Sequence, residues 1–268
     1  MCQTGALMAK QQIRFDDGAA YERVMGTWSR LAGEIFIDWL APRSGLRWID
    51  IGCGNGAFTE LLVERCAPVE VQGIDPSEGQ LAFARARSAA RMAQFRQGDA
   101  MALPFSNASF DAAVMALVIF FVPDPAQGVA EMARVVSPGG TVAAYAWDML
   151  GGGFPLEPFR VEMRTLGVAL PLAPRSDVSK MEALRDLWTG AGLDAVETRI
   201  ITVQRTFADF DDFWTTTLGS SVGQTVATMT SSDVELLKVR MRARLPADAA
   251  GRITYGAHAN AVKGHVPR

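Results

Sequence analysis

Apolar and polar positions follow two alternating periods along this chain. Short apolar runs predict five strands, at Arg47–Ile51, Glu70–Ile74, Ala93–Gln97, Ala112–Leu117 and Thr141–Trp147. Between most of them, apolar residues recur every three or four positions, as they do on the buried face of a helix. Repeated strand–helix units predict a parallel sheet covered on both faces, that is, a doubly wound α/β architecture.

Three segments depart from this rhythm. Residues 18–41 carry an amphipathic pattern that predicts an N-terminal helical segment. Residues 149–177 contain a Gly-Gly-Gly run and four prolines, and residues 206–248 predict two or three helices between two further predicted strands, Ala195–Gln204 and Ile253–Val262. We expect both stretches to be insertions that cover a substrate pocket, within one domain spanning residues 1–268.

Three glycines, Gly52, Gly54 and Gly56, separate the first predicted strand from a helical pattern. A strand, a glycine turn and a helix form a nucleotide-binding corner, because glycine lets the backbone bend tightly and approach a ligand closely. The spacing alone also fits a dinucleotide site. Asp50 separates the two readings, since a carboxylate about 4 Å from a pyrophosphate would cost on the order of 4 kcal/mol. S-adenosylmethionine (SAM) instead presents an ammonium and a sulfonium, so the acid favours SAM.

Two further acids follow the next two predicted strands. Asp75 lies 19 residues beyond Gly56, near the distance expected for an acid that accepts hydrogen bonds from ribose hydroxyls. Asp99 is a turn aspartate on the simplest interpretation. Its position at the end of a parallel strand fits a ligand site better, with the carboxylate facing an adenine amino group and the Ala100 amide facing the ring.

Composition narrows the possible partners and the compartment. The net charge of −3 and the pI of about 5.5 give no electrostatic reason to expect nucleic acid. The three cysteines form neither a metal-binding spacing nor an even disulfide framework, so we expect no metal and a reducing cytoplasm. The longest apolar run, residues 112–123, is too short to span a membrane. Structural or surface roles are favoured for His258 and His265, and no catalytic residue is identified.

These motifs together resemble one family. Residues 49–56, Ile-Asp-Ile-Gly-Cys-Gly-Asn-Gly, are similar to motif I of the class I SAM-dependent methyltransferases. The similarity extends over about residues 45–147, through Asp75, Gly98-Asp99-Ala100 and Leu103-Pro104-Phe105, then Phe110-Asp111, Pro123-Asp124-Pro125 and Arg134–Gly140. The subgroup that the chain most resembles is the ubiquinone-biosynthesis-like set of small-molecule methyltransferases.

The resemblance implies a Rossmann-like sheet of seven strands in the order 3-2-1-4-5-7-6, with the last strand antiparallel. It also implies cofactor contacts around the methionine part, the ribose, the adenosine, the adenine and the amino-acid side, with an N-terminal segment closing over them. The corresponding residues are, in that order, Asp50, Gly52, Cys53, Gly54 and Gly56; Asp75; Pro76 and Ser77; Asp99, Ala100 and Met101; Ala116 and Leu117; and Tyr21 and Arg30.

One departure bears on mechanism. Many relatives carry a histidine just before the Val-Pro-Asp-Pro turn, where this chain has Phe120 and Phe121. An apolar wall therefore replaces any base at that place, and we expect Phe120, Phe121 and Trp147 to contact the substrate.

The function that the resemblance implies is methyl transfer from SAM to a small organic molecule by in-line displacement, with S-adenosylhomocysteine as the product. The protein would chiefly align the acceptor and exclude water. Two alternatives stay open. One is a non-catalytic SAM-binding module, and the other is a nicotinamide-dependent oxidoreductase, which fits the glycine corner but neither Asp50 nor Asp99.

Overall fold

The computed structural model describes residues 22–87 and 91–268, and within them seven strands form one sheet flanked by helices. The strands are β1 (Arg47–Ile51), β2 (Glu70–Asp75), β3 (Ala93–Gln97), β4 (Phe110–Ala116), β5 (Val136–Trp147), β6 (Asp194–Phe207) and β7 (Ile253–His265). The α-helices are α1 (Thr27–Leu40), α2 (Ala57–Cys66), α3 (Glu78–Ala86), α4 (Pro125–Val135), α5 (Glu157–Thr165), α6 (Met181–Gly190), α7 (Phe210–Leu218), α8 (Ser221–Val226) and α9 (Ser231–Arg244). A π-helical turn (Glu22–Gly26) precedes α1, and 3-10 turns lie at Ile119–Phe121 and Ser176–Ser179.

The sheet has the strand order β3-β2-β1-β4-β5-β7-β6. Strands β1 to β5 pair in parallel, and β7 runs antiparallel to both β5 and β6. The predicted order and the antiparallel last strand are therefore confirmed. The order reverses at β1, which places a topological switch point, where such sheets bind ligands, at its carboxyl end. We call the edge at which β1, β2, β4 and β5 end the carboxyl edge, and the opposite one the amino edge.

The central strands are buried on both faces. Ile49 and Ile51 of β1 and residues 112–115 of β4 have almost no exposed surface, as expected for parallel strands between two helical layers. On one face the Phe36 ring of α1 lies 4.6 Å from the Tyr145 ring of β5. None of the helices in the two described ranges combines the length and the apolar character needed to cross a bilayer.

Two predicted boundaries differ from the observed ones. Of the N-terminal segment, residues 18–21 lie outside the described residues, and the remainder is the π-helical turn and α1. The insertion predicted at 206–248 begins later, because β6 continues to Phe207, which pairs with Ile253. The Phe207 side chain is buried and keeps the alternation of the strand, so the helices begin only at Phe210.

The two insertions contact each other through α5 and α7–α9, which we call the insertion unit. The Phe159 ring of α5 stacks on the Phe213 ring of α7 with 5.4 Å between centroids. The buried Glu162 carboxylate accepts hydrogen bonds from Arg240 at 2.8 Å and from Arg244 at 2.6 Å. One stacked pair and one charge cluster therefore join segments that lie on either side of β6 in the sequence.

Candidate cofactor and acceptor site

The glycine corner has the backbone that the sequence predicts. Gly52, Gly54 and Gly56 have φ values of 72°, 52° and 79°, in the left-handed region that side chains disfavour. A Cβ atom at Gly52 would clash with Val118, whereas one at Gly54 would meet only Gln80 Oε1, at 4.0 Å. Gly52 is therefore required for internal packing, while the backbone at Gly54 faces open space that a ligand can occupy.

Asp75 connects this corner to the next one. Its Oδ2 accepts a hydrogen bond from the Gly54 amide at 2.9 Å, and its Oδ1 accepts one from the Ser77 amide at 2.8 Å. Burial raises the pKa of Asp75, while the two amide donors act in the opposite direction. Each carboxylate oxygen keeps a further lone pair. The carboxylate can thus hold both turns in place and still accept hydrogen bonds from two hydroxyl groups.

Asp50 lies deeper than its place in the sequence suggests. It pairs with Gly73 and Val114 one residue before the end of β1, and it is fully buried. Its Oδ2 accepts a hydrogen bond from Thr59 Oγ1 at 2.6 Å, and its Oδ1 has no partner within the described residues. The reason for this depth is α2, which covers the strand and supplies Thr59. No sequence motif marked Thr59 as part of the site.

The ionisation of Asp50 depends on this enclosure. Burial, with a smaller contribution from the charge of Asp75, raises the pKa of Asp50 to about 7, although the hydrogen bond from Thr59 opposes the shift. A cation bound at the corner would favour the ionised form. Negative charge on Asp50 is therefore more compatible with a positively charged ligand at the corner than with a pyrophosphate.

Asp99 lies in an exposed turn beyond β3. Its Oδ1 accepts a hydrogen bond from the Met101 amide at 2.9 Å, the geometry of an aspartate turn. The Gly98 amide donates to the Asp75 carbonyl at 3.2 Å, so the ends of β2 and β3 meet at the carboxyl edge. Pro76 also contributes, because its carbonyl accepts a hydrogen bond from Gln97 at 2.8 Å. The contact of Asp99, Ala100 and Met101 with adenine stays a prediction.

The end of β4 carries backbone strain. Leu117 has a φ of 61°, in the left-handed region that few residues other than glycine adopt, and its amide donates to Tyr145 O at 2.8 Å. Ala116 immediately before it is half-buried. Beyond it, the rings of Phe120 and Phe121 meet edge to face, 4.8 Å apart. The sheet thus holds a strained turn and two aromatic rings beside the glycine corner.

Trp147 ends β5 at the same edge. The side chain is 2% exposed, and its Nε1 is a buried donor with no hydrogen-bond partner within the described residues. An unsatisfied buried donor costs about 1–3 kcal/mol, and a buried indole N–H usually has a partner. The next residue, Asp148, has its Oδ2 3.3 Å from His258 Nε2. The contact of Trp147 with the substrate stays a prediction.

Arg30 and Cys53, two further residues predicted to contact the cofactor, make contacts that stabilise the fold. Arg30 forms an ion pair with Glu34 within α1 at 3.1 Å and another with Glu64 at 2.9 Å, which ties α1 to α2. Tyr21 lies outside the described residues. Cys53 is buried, and its burial, with the charges of Asp50 and Asp75, raises the pKa of its thiol well above the usual range. Since the thiolate is the reactive form, Cys53 is a small packing residue of the corner and not a nucleophile.

Comparison with known proteins agrees with this geometry. A family model described as a methyltransferase domain matches residues 49–144. The chain is 34% identical over 125 residues to the ubiquinone/menaquinone biosynthesis C-methyltransferase UbiE of Roseobacter denitrificans, an alignment that covers 45% of this chain and 50% of the relative. It is 41% identical over 96 residues to the demethylmenaquinone methyltransferase of Deinococcus radiodurans, covering 35% of this chain and 40% of that one. The chain therefore spans half or less of the length of these curated relatives.

A solved structure shares the fold. Phosphoethanolamine N-methyltransferase 2 of Haemonchus contortus, in complex with phosphomonomethylethanolamine and S-adenosylhomocysteine, superposes with a TM-score of 0.59 at 18% identity, covering 95% of this chain and 59% of that one. The strand order and the glycine corner define a Rossmann-like fold. More particularly, residues 49–144 match a methyltransferase domain, and the chain is similar over part of its length to methyltransferases of the ubiquinone-biosynthesis type.

Proposed function

We propose that this protein transfers a methyl group from SAM to a small organic molecule, by in-line displacement at the carboxyl edge of the sheet. The observation that carries the proposal is the Asp75 carboxylate, which accepts hydrogen bonds from the Gly54 and Ser77 amides. It lies beside a stretch of backbone with open space in front of it. This is a suitable place for a ribose with two neighbouring hydroxyl groups.

When bound, SAM supplies a methyl group already activated by the sulfonium. Asp75 would accept the ribose hydroxyls, and the Gly52–Gly56 backbone would hold the methionine part. Asp50 would place negative charge beneath the cationic portion, and its ionisation would become more favourable there. These residues bind and orient, which is the main task in a displacement whose electrophile is already reactive.

The acceptor that we propose is an apolar or aromatic small molecule. Phe120 and Trp147 are buried at the same edge and Phe121 is half-buried beside them, and the buried Trp147 Nε1 has no hydrogen-bond partner within the described residues. The two curated relatives are named for ubiquinone and menaquinone biosynthesis, which supports a quinone-like acceptor ring. Such a site, apolar with a few polar groups, is typical for small molecules.

The insertion unit is the part that we propose as a cap on this pocket, within one domain. The Arg175 amide of the first insertion donates to the Phe120 carbonyl at 3.0 Å. At the other end of that insertion, the Met149 amide donates to Ser179 Oγ at 3.1 Å. Both ends of the first insertion are therefore fastened near the proposed acceptor wall.

Titration and turnover test the proposal separately. Calorimetry should detect SAM and S-adenosylhomocysteine but not NADH, which would bind if the corner were a dinucleotide site. Protein that binds should then transfer label from methyl-tritiated SAM to at least one member of a panel of quinols, phenols and amines. Binding without transfer across the panel would favour a regulatory SAM-binding module, and absence of binding would refute the cofactor assignment.

A further inference from the structure

A second cavity lies at the amino edge of the sheet. It has a volume of about 420 Å³ and is lined by the loop after α1, the start of β1 and β4, the turn before Thr141, and the end of β7. Leu40, Pro42, Leu46 and Trp48 give it apolar walls. In β1, Trp48 precedes Gly52 by four residues, so the cavity is roughly 13 Å from the glycine corner along the strand. The proposed methyl-transfer chemistry does not use it.

Among its charged side chains, this cavity has more arginines than carboxylates. Its lining includes Arg43, Arg268 and one carboxylate, Asp111. Asp111 already accepts hydrogen bonds from the backbone amide and the guanidinium of Arg47, at 2.9, 3.2 and 3.0 Å. The hydrogen bond from Arg47, with a smaller effect of the Arg43 charge, holds the pKa of Asp111 below its usual range. The carboxylate is thus compensated chiefly by a third arginine, which leaves the guanidinium groups of Arg43 and Arg268 without a side-chain carboxylate at ion-pair distance among the described residues.

Neither of these two guanidinium groups has a hydrogen-bond or ion-pair partner within residues 22–87 and 91–268. A third donor near them is also unmatched. Trp48 is 1% exposed, and its Nε1 has no partner among the same residues. A buried N–H without an acceptor is unfavourable by about 1–3 kcal/mol, and because this nitrogen has almost no accessible surface, a ligand oxygen would reach it only after the neighbouring side chains move.

We propose that the amino-edge cavity is a binding site for a small organic anion. The anion has a carboxylate or phosphate group, which Arg43 and Arg268 recognise by charge-assisted hydrogen bonds, and an apolar body that lies against Leu40, Leu46 and Trp48. His265 completes the polar rim, with its Nδ1 3.5 Å from Thr141 Oγ1. The site is separate from the cofactor corner and does not depend on the proposed methyl transfer.

The test uses the six tryptophans of the chain as reporters in the full-length protein. The indole N–H signals are recorded by ¹⁵N-¹H NMR, and the loss of one signal in Trp48→Phe assigns that of Trp48. Benzoate and phenyl phosphate are the probes, and benzamide is the neutral counterpart of benzoate. We expect at least one anion to shift the Trp48 signal with roughly millimolar affinity, to leave the Trp147 signal in place, and to bind equally with S-adenosylhomocysteine present.

Surface variants keep the proposal testable if Trp48→Phe does not fold. Arg43→Ala and Arg268→Ala should each weaken anion binding about tenfold or more. Arg199→Ala, which removes the same charge from an exposed position of β6, should leave it unchanged. The proposal is overturned if neither anion shifts an indole signal, or if the shift is the same in Arg43→Ala and Arg268→Ala as in the wild-type protein. It is also overturned if benzamide binds as well as benzoate.

Discussion

The nucleotide half of this molecule, from β1 to β4, and the insertion unit are held together by different interactions. In the nucleotide half the decisive contacts involve the main chain, as where Asp75 accepts hydrogen bonds from the Gly54 and Ser77 amides. In the insertion unit they join side chains far apart in sequence, as where Glu162 meets Arg240, 78 residues away. A short motif can specify the first kind of contact. The second kind forms only when helices that are distant in the sequence pack together. The cofactor site can therefore be predicted from the sequence, and the acceptor pocket cannot.

Of the substitutions that test this difference between the two regions, we expect the largest effect, a loss of cofactor affinity, at Asp75. Replacing it in Asp75→Ala removes the acceptor of two amides and of the proposed ribose contact, so the affinity for S-adenosylhomocysteine should fall at least about 100-fold. Calorimetry measures this directly. Asp99→Ala is the matched control, because within the described residues that carboxylate accepts one hydrogen bond, from the Met101 amide in an exposed turn. Its effect should be about tenfold or less. Equal losses in both variants would contradict the central place given to Asp75.

A second variant tests whether the corner depends on its backbone. Gly52→Ala should lower the free energy of unfolding by about 2–4 kcal/mol, because the added methyl group meets Val118 at a left-handed backbone position. Gly192 has a similar φ of 74° but no atom within 4 Å of an added Cβ. Gly192→Ala should therefore cost only about 1 kcal/mol, as measured by urea unfolding. A Gly52→Ala protein as stable as Gly192→Ala would show that the packing on Val118 is unimportant.

The pH dependence of stability tests the buried charge in the same half. Asp50 has a folded pKa of about 7, above its unfolded value of about 3.9, so the unfolded chain loses this proton first. The contribution of Asp50 is then most favourable below pH 4 and declines as the pH rises toward 7. Relative to Asp50→Asn, the wild-type protein should lose about 2 kcal/mol of stability between pH 5 and pH 8. If the two proteins, measured without ligand, lose stability in parallel as the pH rises, then the pKa of Asp50 is not raised in the folded protein.

The smallest effect is expected in the insertion unit. Burial alone would raise the pKa of Glu162, but hydrogen bonds from Arg240 and Arg244 outweigh it, and the pKa is lowered. The cluster therefore stabilises the fold above about pH 4.5 and is lost as the pH falls further. Glu162→Gln should lower the free energy of unfolding at pH 7 by about 1–2 kcal/mol, with unchanged affinity for S-adenosylhomocysteine.

Glu235→Gln is the control on α9, since Glu235 pairs with Lys238 and is 69% exposed. It should cost less than about 0.5 kcal/mol. If Glu162→Gln weakens S-adenosylhomocysteine binding as strongly as it weakens the fold, the two regions are coupled and the contrast between them is wrong.

The sequence predicted the glycine corner and the acid at the end of β2, because each depends on local period or spacing, whereas the strand order was implied by the resemblance to a known family. It did not predict the full burial of Asp50, which follows from Thr59 and the packing of α2. It also ended β6 too early, since strand pairing with Ile253 decides that boundary. The unpartnered indole nitrogens of Trp48 and Trp147 were beyond prediction, because a missing partner is a property of the folded surroundings and not of the residue.

The most direct test of the whole account is a crystal structure of the protein with S-adenosylhomocysteine. The account predicts both ribose hydroxyls on the Asp75 carboxylate and the homocysteine chain along the Gly52–Gly56 backbone. A nucleoside bound elsewhere, for example in the amino-edge cavity, or a ribose that makes no contact with Asp75, would contradict it.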